Sequence, residues 1–591
     1  MKNIEPETVD NPTLMLSIKG FLIGVIALLI VAIVILSWVP PVSRDALSHH
    51  LAVPKLYLEH GGIFEIPSIS FSYYPMNLDL LYIIPLYFGN DIVPKFIHFV
   101  FALLTAGLIF NYLKQRTDTV WALFGALFFL SLPVIIKLSI TVYVDLGLVF
   151  FSTAAILMLM RWLESRFQIN FLLFAAICCG LALGTKYNGL IVLFILTLFV
   201  PFAFISKSKN LLNMNKPEYK SSSVKNQFKA LGYGALFCAI ALLVFSPWMM
   251  RNYAWKGNPV YPLYHHVFNR QNMVVTDPVD GRNEIDSRLD HTPKSKSTVT
   301  KWGSFAIRKV VYNESWWEIA LIPVRIFFQG QDDNSKYFDG QLNPFLFLLP
   351  FFAFLQIKNN PPVLRTEKKI WALFSILFIL YAYFQTDMRI RYIAPVIPPL
   401  VILATLGLQQ ITTALARRWP QRNNWVLPGA IFIMIAAIFV VNLSYIVRQF
   451  HYVAPFSYIG KKIDRDDYIA RYRPEHTIYR YANKHLPDEV KILGLFLGNR
   501  RYYCDRDLRF GNNLFRKIIR GADSSTTILA QLQRRGFTHL LIRYDLFNRW
   551  AANQFDDNEK EILASFSRLS LKSLISEDGY GLFELGSSPS K

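Results

Sequence analysis

Long apolar blocks, separated by short polar stretches, fill the first 450 residues of the chain. A helix that crosses a bilayer needs about 20 mostly apolar residues. Blocks of this kind recur eleven times, which predicts a polytopic α-helical membrane protein. The predicted spans are 20–38, 96–113, 119–137, 139–160, 169–185, 188–206, 230–250, 341–357, 370–386, 392–412 and 425–447.

Two further apolar segments do not suit a span. Residues 78–88 are too few, and residues 316–329 carry Glu318 and Arg325. Both segments are predicted to be helices that lie in the membrane interface. The first span, 20–38, is too long for the apolar core of a signal peptide and lacks a small-residue cleavage site. It is therefore predicted to be retained.

Composition supports the membrane assignment. Of 591 residues, 53% are hydrophobic and only 17% are charged, and the mean hydropathy is +0.29. Soluble proteins carry about a quarter charged residues. A soluble enzyme, a disordered chain and a fibrous protein are therefore excluded. The net charge of +21 is attributed mainly to basic membrane loops rather than to a nucleic-acid partner.

The basic residues also predict the orientation. With the N-terminus in the cytoplasm, most basic loop residues fall on the cytoplasmic side, as the positive-inside rule requires. These residues are Lys114, Arg116, Arg161, Arg166, the basic positions of 207–229 and 358–369, Arg417, Arg418 and Arg422. Eleven spans then place the C-terminus on the outer face.

The same pattern divides the chain into a membrane domain, residues 1–449, and a C-terminal domain, residues 450–591. The membrane domain carries two large outer loops, 39–95 and 251–340. In the C-terminal domain the short apolar runs KILGLFLG, HLLIRYD and YGLFEL alternate with helix-like stretches, which predicts a small α/β domain. Its basic, aromatic run LGNRRYYCDRDLRF is predicted to be a solvated strand edge, with contact to an anionic glycan as the alternative.

Two carboxylates stand out near the predicted outer face. Asp45 follows the first span, and Asp145 lies at the outer start of the fourth. Ionisable groups near membrane depth are candidates for function because their burial is costly. Together they provide for a general base and for a group that orients it or binds a divalent cation. The alternative is that each carboxylate caps a helix.

Five basic residues are predicted to share that face with them: Lys55, Lys186, Arg251, Arg389 and Arg391. They either extend to the lipid headgroups or converge on a lipid phosphate. No phosphate-binding glycine loop and no dinucleotide fingerprint occurs, so no nucleotide cofactor is expected. A lipid-phosphate donor dissolved in the membrane fits these basic residues and the lack of nucleotide-binding motifs.

Six motifs resemble the GT-C glycosyltransferases, most nearly the bacterial branch related to the protein mannosyltransferases and the aminoarabinose transferase of lipid A. The motifs are RDALSHHLAVPKLYLEHGG, SYYPMNLDLLY, YVDLGLVFF, GLALGTKYNGL, SPWMMRNYAWKGNPVYPLY and RIRYIAPVIPPL. The resemblance covers roughly residues 20–450. It departs from members with an Asp-Glu pair in the first loop, because Ala46 follows Asp45.

The resemblance implies an inverting transferase in the bacterial inner membrane that takes a sugar from a polyprenyl phosphate on the outer face. It implies a lipid, glycan or protein acceptor. Asp45 matches the catalytic base and Asp145 the second acidic residue, and basic residues of the later loops hold the donor phosphate. His49, Tyr74, Tyr187 and Tyr392 are expected to line the substrate.

Three other functions are compatible with the sequence. A transporter or flippase of lipid-linked sugars would share the spans and the cations, although paired charges inside the spans are missing. A GT-C oligosaccharide ligase would share the fold and transfer a larger group. A scaffolding protein would act through residues 450–591.

Overall fold

The computed structural model describes residues 12–211, 219–268, 305–355, 360–385, 388–418 and 426–586. Up to residue 453 these residues are almost entirely helical. The helices are α1 (Pro12–Ser37), α2 (Ala52–His60), α3 (Asn77–Tyr87), α4 (Val93–Arg116), α5 (Thr119–Ser131), α6 (Pro133–Ser139), α7 (Asp145–Glu164), α8 (Ile169–Thr185), α9 (Gly189–Leu211), α10 (Tyr219–Lys256), α11 (His265–Phe268), α12 (Trp316–Ala320), α13 (Ile322–Arg325), α14 (Phe345–Phe352), α15 (Pro362–Gln385), α16 (Ile397–Arg418) and α17 (Val426–Val453).

The described residues contain seven helices that are long and apolar enough to cross a membrane, or eight if a bent pair counts as one span. This confirms a multi-pass helical protein, but the predicted number of eleven is not reached. Each of the eleven predicted segments overlaps a helix. The difference arises from elements such as α8, with 17 residues, and α14, with eight, which are shorter than the bilayer requires.

A proline accounts for the bent pair. The predicted span 119–137 is divided into α5 and α6, which meet at an angle of 64°. Pro133 begins α6, and a proline has no N–H to continue the preceding helix. Leu132, the residue before it, is extended in ψ at 136°, as a residue before proline prefers.

Small residues allow two helix pairs to pack closely. At Gly180 of α8, a β-carbon would collide with the Ala241 carbonyl of α10. At Gly407 of α16, it would collide with the Leu349 carbonyl of α14. Small residues at such crossings are typical of membrane helices, because close backbone approach gains dispersion energy.

Both predicted interfacial segments are helical and expose apolar side chains. The segment 78–88 lies almost wholly within α3, where Ile84 and Tyr87 are exposed. The segment 316–329 contains α12 and α13, with Trp317 exposed. Exposed large apolar side chains are what a helix lying in the membrane interface requires.

One end of the bundle gathers the segments predicted to be cytoplasmic. Arg116, at the end of α4, forms ion pairs with Glu164 of α7 and Glu367 of α15, the second at 2.5 Å. Tyr112 donates to the same Glu367 at 2.9 Å. Asp145 lies toward the opposite end, because the N–H of the next residue, Leu146, donates to His98 of α4. His98 precedes Arg116 by 18 residues, which is about 27 Å at a rise of about 1.5 Å per residue.

The C-terminal residues form the predicted α/β domain. A mixed sheet of five strands has the order β2-β1-β3-β5-β4, in which β1 pairs in parallel with β2 and β3, and β5 pairs antiparallel with β3 and β4. The three predicted apolar runs become β1, β3 and β5. The strands are β1 (Lys491–Leu495), β2 (Asp507–Phe510), β3 (His539–Arg543), β4 (Leu571–Glu577) and β5 (Tyr580–Leu585).

Helices connect and cover this sheet. They are α18 (Pro455–Ile459), α19 (Arg465–Tyr472), α20 (Glu475–His485), α21 (Asn512–Arg520), α22 (Ser525–Arg534), α23 (Tyr544–Gln554) and α24 (Asp557–Leu569). Buried residues of α21, α22 and α24 pack on one group of strand residues, and those of α20 pack on another. The sheet therefore has an apolar layer on each side.

Candidate active site

Asp45 lies where the chain turns from α1 into the first large loop. It precedes a π-helical turn, Ala46–His50, all of whose residues are buried. Its carboxylate forms an ion pair with Arg391, which is remote in sequence. Burial by itself raises the pKa of Asp45. The Arg391 guanidinium, with smaller effects from His49 and His50, outweighs burial and holds that pKa well below its ordinary value.

Three of the predicted cations surround one aromatic ring. The ring of Tyr392 lies 5.6 Å from the Lys186 ammonium, 5.5 Å from the Arg391 guanidinium and 5.9 Å from that of Arg389. Asn188 donates to the Tyr392 carbonyl at 3.2 Å, which joins the loop after α8 to the segment before α16. Cations within about 6 Å of an aromatic face are attracted to it, so the Tyr392 ring helps to hold these three positive charges together.

Asp145 joins the same site from α7. Its side chain is fully buried, and Oδ1 accepts a hydrogen bond from Lys186 Nζ at 2.6 Å. In the described part of the chain its other oxygen, Oδ2, has no hydrogen-bond partner. Each predicted carboxylate therefore faces one predicted cation, Asp45 with Arg391 and Asp145 with Lys186.

Aromatic rings form one wall of the site. His49 stacks on Phe71 with ring centroids 4.4 Å apart, Phe71 contacts Tyr74 at 5.2 Å, and Tyr74 contacts Tyr187 at 5.2 Å. The predicted lining residues His49, Tyr74 and Tyr187 thus belong to one continuous stack. Sugar rings pack well on such faces because both surfaces are partly apolar.

Arg251 lies at the far end of this stack. Its guanidinium lies 4.5 Å from the Trp248 ring and 5.0 Å from the Trp255 ring, and it donates to the Tyr74 carbonyl at 3.2 Å. The next residue, Asn252, donates to the Tyr187 hydroxyl at 3.1 Å. Arg251 is therefore connected to the site through aromatic side chains rather than through either carboxylate.

Lys55 does not join the other four cations. Its ammonium forms an ion pair with Asp505 of the C-terminal domain at 2.6 Å and donates to the Tyr502 carbonyl at 3.2 Å. Arg389 has an ion pair of its own with Asp339 at 3.6 Å. Of the five predicted cations, Lys186 and Arg391 are the ones that contact the carboxylates.

A buried histidine–aspartate pair was missed by the sequence reasoning. His50 Nδ1 and Asp79 Oδ1 are 2.7 Å apart, and both side chains are almost fully buried. Burial raises the pKa of Asp79 to about 7 and lowers the pKa of His50 to about 4. A carboxylate inside the apolar segment of α3 was a signal that could have indicated it.

The opposite shifts within this pair predict a pH effect. Between about pH 4 and 6.5 the pair holds one proton in both states, on His50 in the unfolded chain and on Asp79 in the folded protein. Asp79→Asn removes the group that holds this proton in the folded protein. His50, which holds the proton in the unfolded chain, is still present. Relative to the wild type, the variant should lose up to about 1.4 kcal/mol of stability per pH unit as the pH falls through that range.

Thermal melts in detergent between pH 4.5 and 7.5 measure this difference. Asp118→Asn is the matched control, because Asp118 caps α5 and has no part in the site. If the melting temperatures of Asp79→Asn and the wild type fall in parallel with pH, the pair does not share a proton as described.

Asp45 and Asp145 do not form a shared pair of carboxylates in the structure. Both carboxylates face a basic side chain rather than each other. Among the described residues, no group of three or more His, Cys, Asp or Glu side chains is arranged to hold a metal ion. A divalent cation at these carboxylates stays a prediction, and the chemistry below is derived from the protein side chains.

Part of the chain matches a known family. The model of the dolichyl-phosphate-mannose-protein mannosyltransferases matches residues 65–255. That range contains Asp79, Asp145, Lys186 and Arg251 but ends well before Arg391. A search of curated proteins finds no significant match.

Solved structures match nearly the whole chain. ArnT from Cupriavidus metallidurans in the apo state is 15% identical, with a TM-score of 0.52, over 96% of this chain and 98% of that one. ArnT from the same organism bound to undecaprenyl phosphate is 14% identical, with a TM-score of 0.50, over 96% of this chain and 98% of that one. An Archaeoglobus fulgidus oligosaccharyltransferase tethered to an acceptor peptide is 13% identical, with a TM-score of 0.51, over 96% of this chain and 74% of that one. These matches confirm the fold that the motifs predicted, and with the family match they indicate a glycosyltransferase.

Proposed function

We propose that this membrane protein, whose fold is that of the GT-C glycosyltransferases, transfers a sugar from a polyprenyl-phosphate donor to an acceptor with inversion at the anomeric carbon. The reaction takes place at the end of the bundle that carries Asp45, which we place on the outer face of the bacterial inner membrane. The acceptor is a lipid, a glycan or a protein.

One observation carries the proposal. Asp45, a carboxylate whose side chain is 22% exposed, lies in the same cluster as three cations gathered on the Tyr392 ring, at the end of an apolar helical bundle. A lipid phosphate needs that combination, because its tail is apolar while its leaving group is anionic. Cations fixed before reaction stabilise the charge that develops on the leaving phosphate.

The side chains then have defined roles. The acceptor's oxygen or nitrogen attacks the anomeric carbon from the face opposite the phosphate, and its proton passes to Asp45. The bond between the anomeric carbon and the phosphate oxygen breaks, and its electron pair leaves with the polyprenyl phosphate. Lys186 and Arg391 stabilise that phosphate. A single displacement inverts the anomeric centre.

The ion pair between Asp45 and Arg391 couples donor binding to the strength of the base. In the paired state, Arg391 holds the pKa of Asp45 low, which makes the carboxylate a weak base. A donor phosphate that takes over part of the Arg391 charge leaves burial as the dominant effect, and burial raises that pKa. The base therefore becomes stronger once the donor is bound.

An apolar cavity gives the donor's tail a place in the membrane domain. A space of about 830 Å³ lies between α7, α9 and α15, and most of its lining is aliphatic or aromatic. Phe194 and Phe384 line it, and they follow Lys186 and precede Arg389 by only a few residues. A polyprenyl chain in this cavity would have its phosphate end near the cations.

The test measures release of polyprenyl phosphate. Purified protein in detergent is incubated with a panel of polyprenyl-phosphate sugars and a membrane lipid extract, and both products are identified by mass spectrometry. Release together with a glycosylated acceptor supports the proposal. Binding of donors without release favours the flippase.

Oligosaccharide transfer is the second candidate, favoured by the shared fold with the oligosaccharyltransferase. The mass added to the acceptor decides between them. A single sugar supports the proposed reaction, and a preassembled oligosaccharide supports the ligase.

A further inference from the structure

The basic, aromatic run of the C-terminal domain is a strand edge only at its end, where Asp507–Phe510 form the edge strand β2 with an exposed ion pair between Arg509 and Asp507. The residues before β2 are packed against the membrane domain. Residues 500–505, here called the docking segment, lie against residues 41–47, here called the base segment because they contain Asp45. Arg500 and Cys504 are buried, and Tyr502 packs on the apolar cluster that contains Ala46.

The contacts reach the base segment on both sides of Asp45. After it, the Leu47 carbonyl accepts hydrogen bonds from the backbone N–H groups of Arg501 and Tyr502, both at 3.1 Å. Before it, the Tyr503 hydroxyl donates to the Pro41 carbonyl at 2.9 Å.

A second part of the C-terminal domain adds to this attachment. Arg473, between α19 and α20, donates through Nε to the Val42 carbonyl at 2.6 Å. Nearby, Arg465 forms an ion pair with Asp91 at 2.5 Å, and Asp91 also accepts from the Tyr503 hydroxyl at 3.4 Å. The domain is thus attached to the first loop at several independent points.

The docking segment is itself held by α20. Arg500 forms a buried ion pair with Glu475, and the Tyr479 hydroxyl donates to the Arg500 carbonyl at 2.6 Å. Asn483 donates to the Tyr503 carbonyl and accepts from the Asp505 N–H, each at 2.9 Å. A segment fixed in this way transmits the position of the domain to whatever it contacts.

From these contacts we infer that the docking segment and Arg473 are positioning elements, which hold the backbone around Asp45 so that its carboxylate meets the acceptor. The inference rests on the proposed function for its catalytic part. A displacement of about 1 Å at a catalytic group is enough to cost two orders of magnitude in rate. Positioning of this kind changes kcat more than donor binding.

The experiment uses the full chain in detergent and three variants. Tyr503→Phe removes one hydroxyl, and Arg473→Ala removes the donor to Val42. Tyr544→Phe is the matched control, because its hydroxyl forms a hydrogen bond with Ser576 of the same domain, at 3.0 Å. Hydrogen exchange of peptides covering residues 40–51 is measured together with kcat and the donor KM, and Arg473→Lys tests rescue.

We expect both test variants to exchange faster over residues 40–51. Their kcat should fall about tenfold with the donor KM changed less than about twofold. Arg473→Lys should recover part of kcat, and Tyr544→Phe should match the wild type.

Several results would overturn the inference. Unchanged exchange means that the domain does not fix the base segment. Faster exchange with unchanged kcat means that catalysis does not need the fixation, and a raised KM alone assigns the domain to substrate binding. If the wild type transfers no sugar, the proposed function fails, while the exchange data alone still decide whether the docking segment fixes the base segment.

Discussion

Asp45→Asn is expected to reduce sugar transfer by about 10²- to 10⁴-fold, the usual range for the loss of a general base. Asparagine keeps the size of the side chain but cannot take the acceptor's proton. The variant should still fold, because the neighbouring turn and its contacts to the C-terminal domain use backbone atoms. Donor binding should be retained, since Arg391 is then free of its carboxylate partner.

Initial rates of polyprenyl-phosphate release, with a thermal melt for folding, check this expectation. Asp118→Asn is the control, because its side chain accepts from Val120 and Trp121 as the cap of α5, and asparagine caps a helix equally well. Retention of more than half the wild-type rate by Asp45→Asn would remove Asp45 as the base. Asp145 would then be the next residue to test.

Lys186→Met is expected to lower the free energy of unfolding by about 3–5 kcal/mol, because it leaves the Asp145 carboxylate buried without its counter-charge. Asp145 is fully buried and Lys186 is 18% exposed, so water replaces little of the lost interaction. The double variant Asp145→Asn/Lys186→Met removes both charges and should recover most of the stability. It should not recover transfer, because the phosphate loses a cation.

Thermal melts in detergent for the two single variants and the double variant measure the coupling. Lys572→Met is the control. Its ion pair with Glu584 is exposed, and such pairs contribute less than about 1 kcal/mol. A double variant no more stable than Lys186→Met would show that the charge on Asp145 does not cause the loss.

The bundle and the C-terminal domain were largely predictable from the sequence. Each predicted apolar block overlaps a helix, and the three apolar runs of the C-terminal domain are strands, because burial imposes a local periodicity on the residues themselves. The number of spans could not be predicted, because the apolar pattern of a stretch such as 119–137 does not show that the helix bends at Pro133. A short helix such as α14 also resembles a span in the sequence, because the residues on either side of it are apolar too.

The candidate site residues could be selected by residue type, but their partners could not be predicted. Asp45, Asp145, Lys186 and Arg391 were found because charges near apolar spans are costly. The pairing of Asp45 with Arg391 could not be predicted, because the two residues are 346 positions apart and no local sequence pattern joins them. Lys55 shows the converse: the residue type was suitable, yet its partner is Asp505, 450 residues away.

The C-terminal domain attaches to the base segment through the carbonyl oxygens of Pro41, Val42 and Leu47. Every amino acid carries that acceptor, so substitutions at these positions leave the hydrogen bonds available as long as the backbone keeps its course. The side chains at these three positions can therefore change without loss of these hydrogen bonds, whereas Lys55 and Asp91 of the same loop are held by ion pairs with Asp505 and Arg465. A hybrid that carries this domain on another membrane domain would therefore tolerate different residues at positions 41, 42 and 47 but would need the partners of Asp505 and Arg465.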